Sequence, residues 1–284
     1  MYLNLDQMTE INKVQLEIFK AFLEVCEKLK LTYYMAHGSL LGAIRYEGFF
    51  PYDDDIDIIM PRKDFELLLE EGQKYMSSRY FIQACKTERD YPLAFAKIRD
   101  TETAFIQPAM KNFNVNQGIY IDIFPLDYYP KNPILQKTYG FKEKLLSTRI
   151  NKRMNFQTHQ PFTKRFLRAI SVLFSPSWEN AVQKRANLYA HVKESPLVIT
   201  SGGKGKEKGM PSIWFGNGKQ KEFEHISVKC PDMMEEYLTR IYGDYMSFNP
   251  AAKYMDDQNR VEVSASVYST KESYKTIVKR DIEC

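Results

Sequence analysis

The stretch LTYYMAHGSLLGAIRYEGFFPYDDDIDIIMPRKDFELLLEEG, residues 31–72, decides the fold. It predicts a strand, a Gly-Ser turn, a short helix, a loop, a second strand and a second helix. Pro61 suits the first turn of that second helix, where its missing N–H is not needed. Within the stretch, Asp53-Asp54-Asp55-Ile56-Asp57-Ile58-Ile59-Met60 sets charged side chains between large apolar ones. Residues i and i+2 of a strand share a face, so Asp55 and Asp57 point together. Adjacent carboxylates repel unless a cation joins them, and hard divalent ions such as Mg²⁺ take carboxylate and phosphate oxygens in one shell. The pattern therefore predicts a metal site, with Asp53 beside the pair.

Two plainer explanations fail on named residues. A merely solvated acidic loop leaves Ile56, Ile58 and Ile59 in water. A calcium loop starting at Asp53 needs Gly at its sixth position and Glu at its twelfth, where the chain has Ile58 and Asp64. A third acid is expected from a neighbouring strand. Asp122 is the candidate, since it lies between Ile121 and Ile123 with no local reason for a charge there. Upstream, Gly38 and Ser39 open the short helix, where bare backbone donors and a hydroxyl can approach a phosphate.

Outward from this centre, Ile11, Val14, Ile18, Phe22, Val25, Cys26 and Leu29 recur at helical spacing and predict an amphipathic helix over 11–29. Short strands are expected from Arg79, Pro92, Thr103 and Gly118, enough for one central sheet. Helices follow over 134–155 and 162–194. A Gly/Lys-rich loop beginning at Ser201 is expected to be mobile, and a β-hairpin is expected around Asn217-Gly218. A last helix spans 231–242, and the final thirty or so residues resist assignment. The fold class is α/β, or α+β: a mixed sheet with flanking helices and a helical, basic insertion. The organisation is a catalytic core at 1–130, a basic helical region at 131–200, and a loop, hairpin and C-terminal helix at 201–284 that complete the domain.

The chain has 284 residues, 44% hydrophobic, ample for a packed core. Its net charge of +4 does not point to nucleic acid, but between 131 and 168 ten basic residues face one acid, Glu143. That region calls for an anionic neighbour, either a membrane face or the phosphates of an acceptor. Four scattered cysteines form neither a disulfide framework nor a zinc motif, which fits a reducing cytoplasm. No signal peptide or membrane-spanning run is legible, so the expected location is cytoplasmic, with peripheral contact at the inner face of the membrane.

The combination of Gly-Ser turn, Asp-x-Asp and a later strand Asp resembles the nucleotidyltransferase superfamily. Within it, HGSLLGAIRYEGFFPYDDDIDIIM is similar to the hallmark of the LicD family of phosphocholine transferases, to which the fukutin proteins are also related. KIRDTETAF from Lys97, YIDIFPLD from Tyr120, FEHISVKCP from Phe223 and YGDYM from Tyr242 follow in the family's order, so the likeness covers about 30 to 250. It implies transfer of a phospho-substituent, such as phosphocholine from CDP-choline, to a hydroxyl of a cell-surface glycan, a lipid-linked glycan or a teichoic acid, with release of CMP. Asp55, Asp57 and Asp122 would be the catalytic carboxylates and, with Asp53, the metal ligands for Mg²⁺ or Mn²⁺. Gly38, Ser39, Arg45, Lys97 and Arg99 would hold the donor's phosphates. Tyr52 stands where the family has Trp, and no zinc-binding cysteine cluster is present. The alternatives are transfer of a nucleoside monophosphate from a triphosphate, or a non-catalytic glycan- or nucleotide-binding subunit, for which three clustered acids have no use. His37, beside the Gly-Ser turn, is a further candidate for substrate contact.

Overall fold

The computed structural model describes all residues except 52, 112, 152, 155–174, 176, 202–204, 250–260 and 284. Tyr52, Lys152, Lys164, Arg165, Arg168, most of the first half of the helix expected at 162–194 and part of the loop after Ser201 lie outside the described residues.

Helix α1, Leu5–Leu29, begins earlier than its apolar period suggests, because Asn4 and Gln7 form a capping box: each side chain accepts the other's backbone N–H. Its far end closes on Lys30 in the left-handed conformation. Strand β1 (Tyr2–Leu3) precedes it. The central sheet comprises β2 (Tyr34–Met35), β3 (Asp57–Pro61), β4 (Tyr80–Gln83), β5 (Ala96–Asp100), β7 (Tyr120–Tyr128), β8 (Leu197–Thr200) and β9 (Lys208–Pro211). Its order is β2-β3-β7-β5-β4, with β8 and β9 extending from β7. Only the β3–β7 pairing is parallel among the described ladders, and it sets Asp57 opposite Asp122. Ile58, Ile121 and Ile123 point to the other face, where they join Ile18, Phe19 and Phe22 of α1 in the main hydrophobic cluster.

Helix α2 (His37–Arg45) links β2 to the acidic loop, and α3 (Arg62–Glu71) follows β3. Arg62 grips Asp127 of β7 with two hydrogen bonds of 2.7 and 2.6 Å and also donates to the Ala186 carbonyl. Helix α4 is Pro133–Asn151 and α5 is Trp178–Ala186. The helix expected as far as 194 stops at Ala186; residues 187–191 are turns and bends in which Tyr189 packs on Tyr129 and Tyr139. Among the described residues, no helix is long and apolar enough to cross a membrane.

Two further expectations give way. Part of the Gly/Lys-rich segment is strand β9, because it pairs with β8. The hairpin of β10 (Lys219–Phe223) and β11 (Ile226–Cys230) turns at Glu224-His225, not at Asn217-Gly218. Both turn residues adopt positive φ, 48° and 62°, the pairing that a tight two-residue hairpin requires. Helix α6 is Met234–Tyr242, close to expectation and followed by Gly243 at φ 79°. The unassigned C-terminal stretch forms β12 (Val261–Glu262) on β1, β13 (Val267–Ser269) on β6 (Ala104–Ile106), and α7 (Tyr274–Glu283).

Candidate active site

Asp57 is held from three directions. Its N–H donates to Ser39 Oγ at 2.8 Å, its carbonyl accepts from the Ala36 N–H at 3.0 Å, and the strand partner opposite is Asp122. Asp122 in turn donates its N–H to Ile56 O at 2.7 Å. Carboxylate oxygens of Asp55, Asp57 and Asp122 all lie within 4.8 Å of one another, an oxygen-only donor set suited to a hard divalent cation. Asp53, Asp54 and Asp55 form a second such group, so Asp55 belongs to both. Burial first, then neighbouring carboxylates, push Asp55 and Asp57 well above the ordinary carboxylate range. Asp122 is also raised by burial, against the pull of Lys97. Three acids that resist ionising together are what a bound cation would relieve.

Lys97 lies beneath this cluster. It is 2% exposed, its Nζ donates to Asp122 Oδ1 at 2.5 Å, and it sits 3.3 Å from the centre of the Tyr120 ring. Burial lowers its pKa, with Asp122 opposing. A cleft of about 320 Å³ opens over Asp55, Asp122, Lys97, Phe95 and Tyr120.

The other expected phosphate ligands sit elsewhere. Arg99 is fully buried; Nε donates to Gln83 and one terminal nitrogen to Gly118 O, so its guanidinium holds the strand edge. Arg45 donates to the carbonyls of Tyr245 and Phe248 and clamps the segment after α6. Gly38 faces Asp53: a Cβ there would lie 1.9 Å from the Asp53 carboxylate. The positive end of α2 is therefore taken by the chain's own acid, where phosphate was expected. Ser39 is buried and spends its oxygen on Asp57. Of the five, Lys97 alone lines the cleft over Asp55 and Asp122.

His37 adopts φ 44° at the start of α2 and meets Phe124 edge-on at 5.7 Å. Its Nδ1 is 3.4 Å from Tyr237 Oη, and burial lowers its pKa against the charges of Glu207 and Asp122. Three supports were not anticipated from the sequence. Gln15 of α1 donates to the Asp54 carbonyl at 2.7 Å, and Ser264 donates its N–H to Asp54 Oδ2 at 2.9 Å and its hydroxyl at 3.1 Å. Tyr237 reaches His37 from α6. The apolar period of α1 marked Gln15 as the odd polar residue on a buried stripe; Ser264 and Tyr237 carry no local signal.

A mixed sheet with acids on the ends of adjacent parallel strands, entered through a Gly-Ser helix, defines a nucleotidyltransferase-type domain. Residues 30–172 match the LicD/FKTN/FKRP nucleotidyltransferase domain, and the chain belongs to the LicD family. It is 28% identical over 251 residues to the lipopolysaccharide cholinephosphotransferase LicD of Haemophilus influenzae, covering 86% of this chain and 92% of that protein. It is also 29% identical over 116 residues to an uncharacterised protein of Rickettsia prowazekii, covering 41% and 40% respectively.

Proposed function

We propose that this protein transfers phosphocholine from CDP-choline to a hydroxyl of a cell-surface glycan, lipopolysaccharide or teichoic acid, releasing CMP. The observation that carries this reading is the in-register meeting of Asp57 and Asp122 on parallel strands, with Asp55 within 4.8 Å, at the mouth of a cleft. The similarity to the Haemophilus cholinephosphotransferase supports the choice of head group.

In this reading Asp55, Asp57 and Asp122 hold Mg²⁺, or Mn²⁺ in its place. The ion, when bound, neutralises the diphosphate and stabilises the departing CMP. The chain's own part is placement. Ser39 and Ala36 fix Asp57 at the strand entrance, while Gln15 and Ser264 fix the Asp54 turn, so the carboxylates need no rearrangement to receive charge. Lys97 anchors Asp122 and keeps one positive charge under the cleft floor. Phe95, partly buried with its ring against Phe124, lines the cleft as an aromatic contact for a quaternary ammonium group. The acceptor hydroxyl oxygen attacks the phosphorus bearing choline, its proton passes to Asp122 at the cleft floor, and the bond from that phosphorus to the CMP oxygen breaks. We place the reaction in the reducing cytoplasm, consistent with free thiols at Cys26, Cys85 and Cys230.

The test uses CDP-choline labelled in choline, a lipopolysaccharide acceptor and Mg²⁺. Label in the acceptor with stoichiometric CMP supports the reading. Release of diphosphate from a nucleoside triphosphate, with nucleotide in the acceptor, assigns the chain to nucleotidyl transfer instead.

A further inference from the structure

Helix α4 is fixed to the body chiefly by one stripe of residues. Tyr139 stacks on Tyr189 with ring centroids 5.2 Å apart, Glu143 pairs with Lys208 at 2.8 Å, and Leu146 and Ile150 are buried in a second hydrophobic cluster. Positions 139, 143, 146 and 150 follow at intervals of four and three, so they share one side of the helix. The opposite side carries Ile134 and Phe141, one i,i+7 step apart, which are 74% and 49% exposed, and this row ends one turn later at Leu145, which is buried; Leu135, four residues before Tyr139, continues the anchored stripe. Lys137 and Lys144 flank this crest on one side and Lys142 on the other, with Lys131 just ahead of the helix, all exposed. The sole acid of α4, Glu143, is turned inward onto Lys208.

One exposed leucine is ordinary on a protein surface. Two large apolar side chains two turns apart, bordered by lysines and without an acid, form a face suited to the boundary between headgroups and acyl chains of an anionic leaflet. From this we infer that α4 docks the protein onto an anionic lipid surface, the crest entering the leaflet and the ammonium groups meeting lipid phosphates. The charge pattern selects this occupant. A second copy would set lysines against lysines, and a soluble polyanion would engage the lysines while leaving the crest in water. The docking inference does not depend on which group the active site transfers.

Co-sedimentation of the full chain with vesicles of phosphatidylcholine alone, or mixed with phosphatidylglycerol, tests it. The expected result is pelleting only with phosphatidylglycerol, reversed by high salt. Lys137→Gln, Lys142→Gln and Lys144→Gln should each lower the partition coefficient by about fivefold. Ile134→Ser with Phe141→Ser should lower it on the order of tenfold or more, with the melting temperature unchanged. Absence of pelleting, or pelleting that both sets of variants leave unaltered, overturns the inference. So does a fall in melting temperature for the Ile134→Ser, Phe141→Ser variant, which would show that the crest packs on the chain itself. A vesicle-free dimer that the same variant abolishes would assign the face to self-association and equally overturn it.

Discussion

Gly42→Ala is the substitution whose effect the packing fixes most sharply. In an open helix, alanine for glycine stabilises by about 0.8–1 kcal/mol. Gly42 lies in α2 against the loop that leads into the acids, and a Cβ there would fall 2.3 Å from the Gly48 carbonyl oxygen and 2.5 Å from the Phe50 nitrogen. Both are backbone atoms, so no side-chain rotation relieves the contact. Reaching an ordinary separation requires α2 and residues 48–50 to part by about 1 Å, and such overpacking costs about 1–3 kcal/mol, at times more. Two backbone contacts this close put the cost in the upper part of that range, so after the helical gain is subtracted the net is a loss of about 1–2 kcal/mol. Gly140 of α4 has nothing within 4 Å of its would-be Cβ, so Gly140→Ala should stabilise by about 0.5–1 kcal/mol. Urea unfolding of both variants, read as midpoint shifts at constant m, measures the contrast. Because the strained loop continues into Asp53–Asp55, Gly42→Ala should also weaken turnover by up to about a hundredfold. Equal or greater stability for Gly42→Ala would refute the close approach.

Asp57→Asn should lower transfer on the order of a hundredfold or more while the chain stays folded, since it removes charge and no volume; near-normal rate would remove Asp57 from the reaction. Raised carboxylates also set a pH dependence. The unfolded acids lose their protons near 3.8 and the folded Asp55 and Asp57 hold theirs to higher pH, so the native state binds more protons. Their contribution to stability therefore declines as pH rises above about 4. Melting curves without metal should show this decline, Asp57→Asn should flatten it relative to the parent, and a parallel pH profile for the two proteins would count against the shared charge. Lys97→Met leaves Asp122 buried beside two acids, and breaking such a pair costs about 3–5 kcal/mol. The loss, followed by urea unfolding, should shrink when Mg²⁺ is added; an undiminished loss would mean that no cation reaches Asp122.

The acids were legible because a strand's period of two leaves charges between isoleucines no local explanation. Asp122 stood out for the same reason, and the structure pairs it with Asp57. Cations were harder to read. Lys97, Arg99 and Arg45 look alike in sequence, yet one lines the cleft, one is sealed behind Gln83 and Gly118, and one clamps carbonyls after α6. Only tertiary packing separates them. The Asn217-Gly218 dipeptide suggested a turn, but strand register placed it at Glu224-His225, two residues that tolerate positive φ at a cost the ladder offsets. Ser264 reaches Asp54 across 210 positions, a pairing for which no local pattern exists.

In the proposed function Asp55, Asp57 and Asp122 recruit a divalent ion that the CDP-activated donor needs. A thermal-shift titration of CDP-choline, with Mg²⁺ or with EDTA, on the parent and on Asp57→Asn, tests this without an acceptor. CDP-choline should raise the melting temperature of the parent only when Mg²⁺ is present, and Asp57→Asn should lose the effect. An equal rise in EDTA, or an undiminished rise in Asp57→Asn, would contradict it.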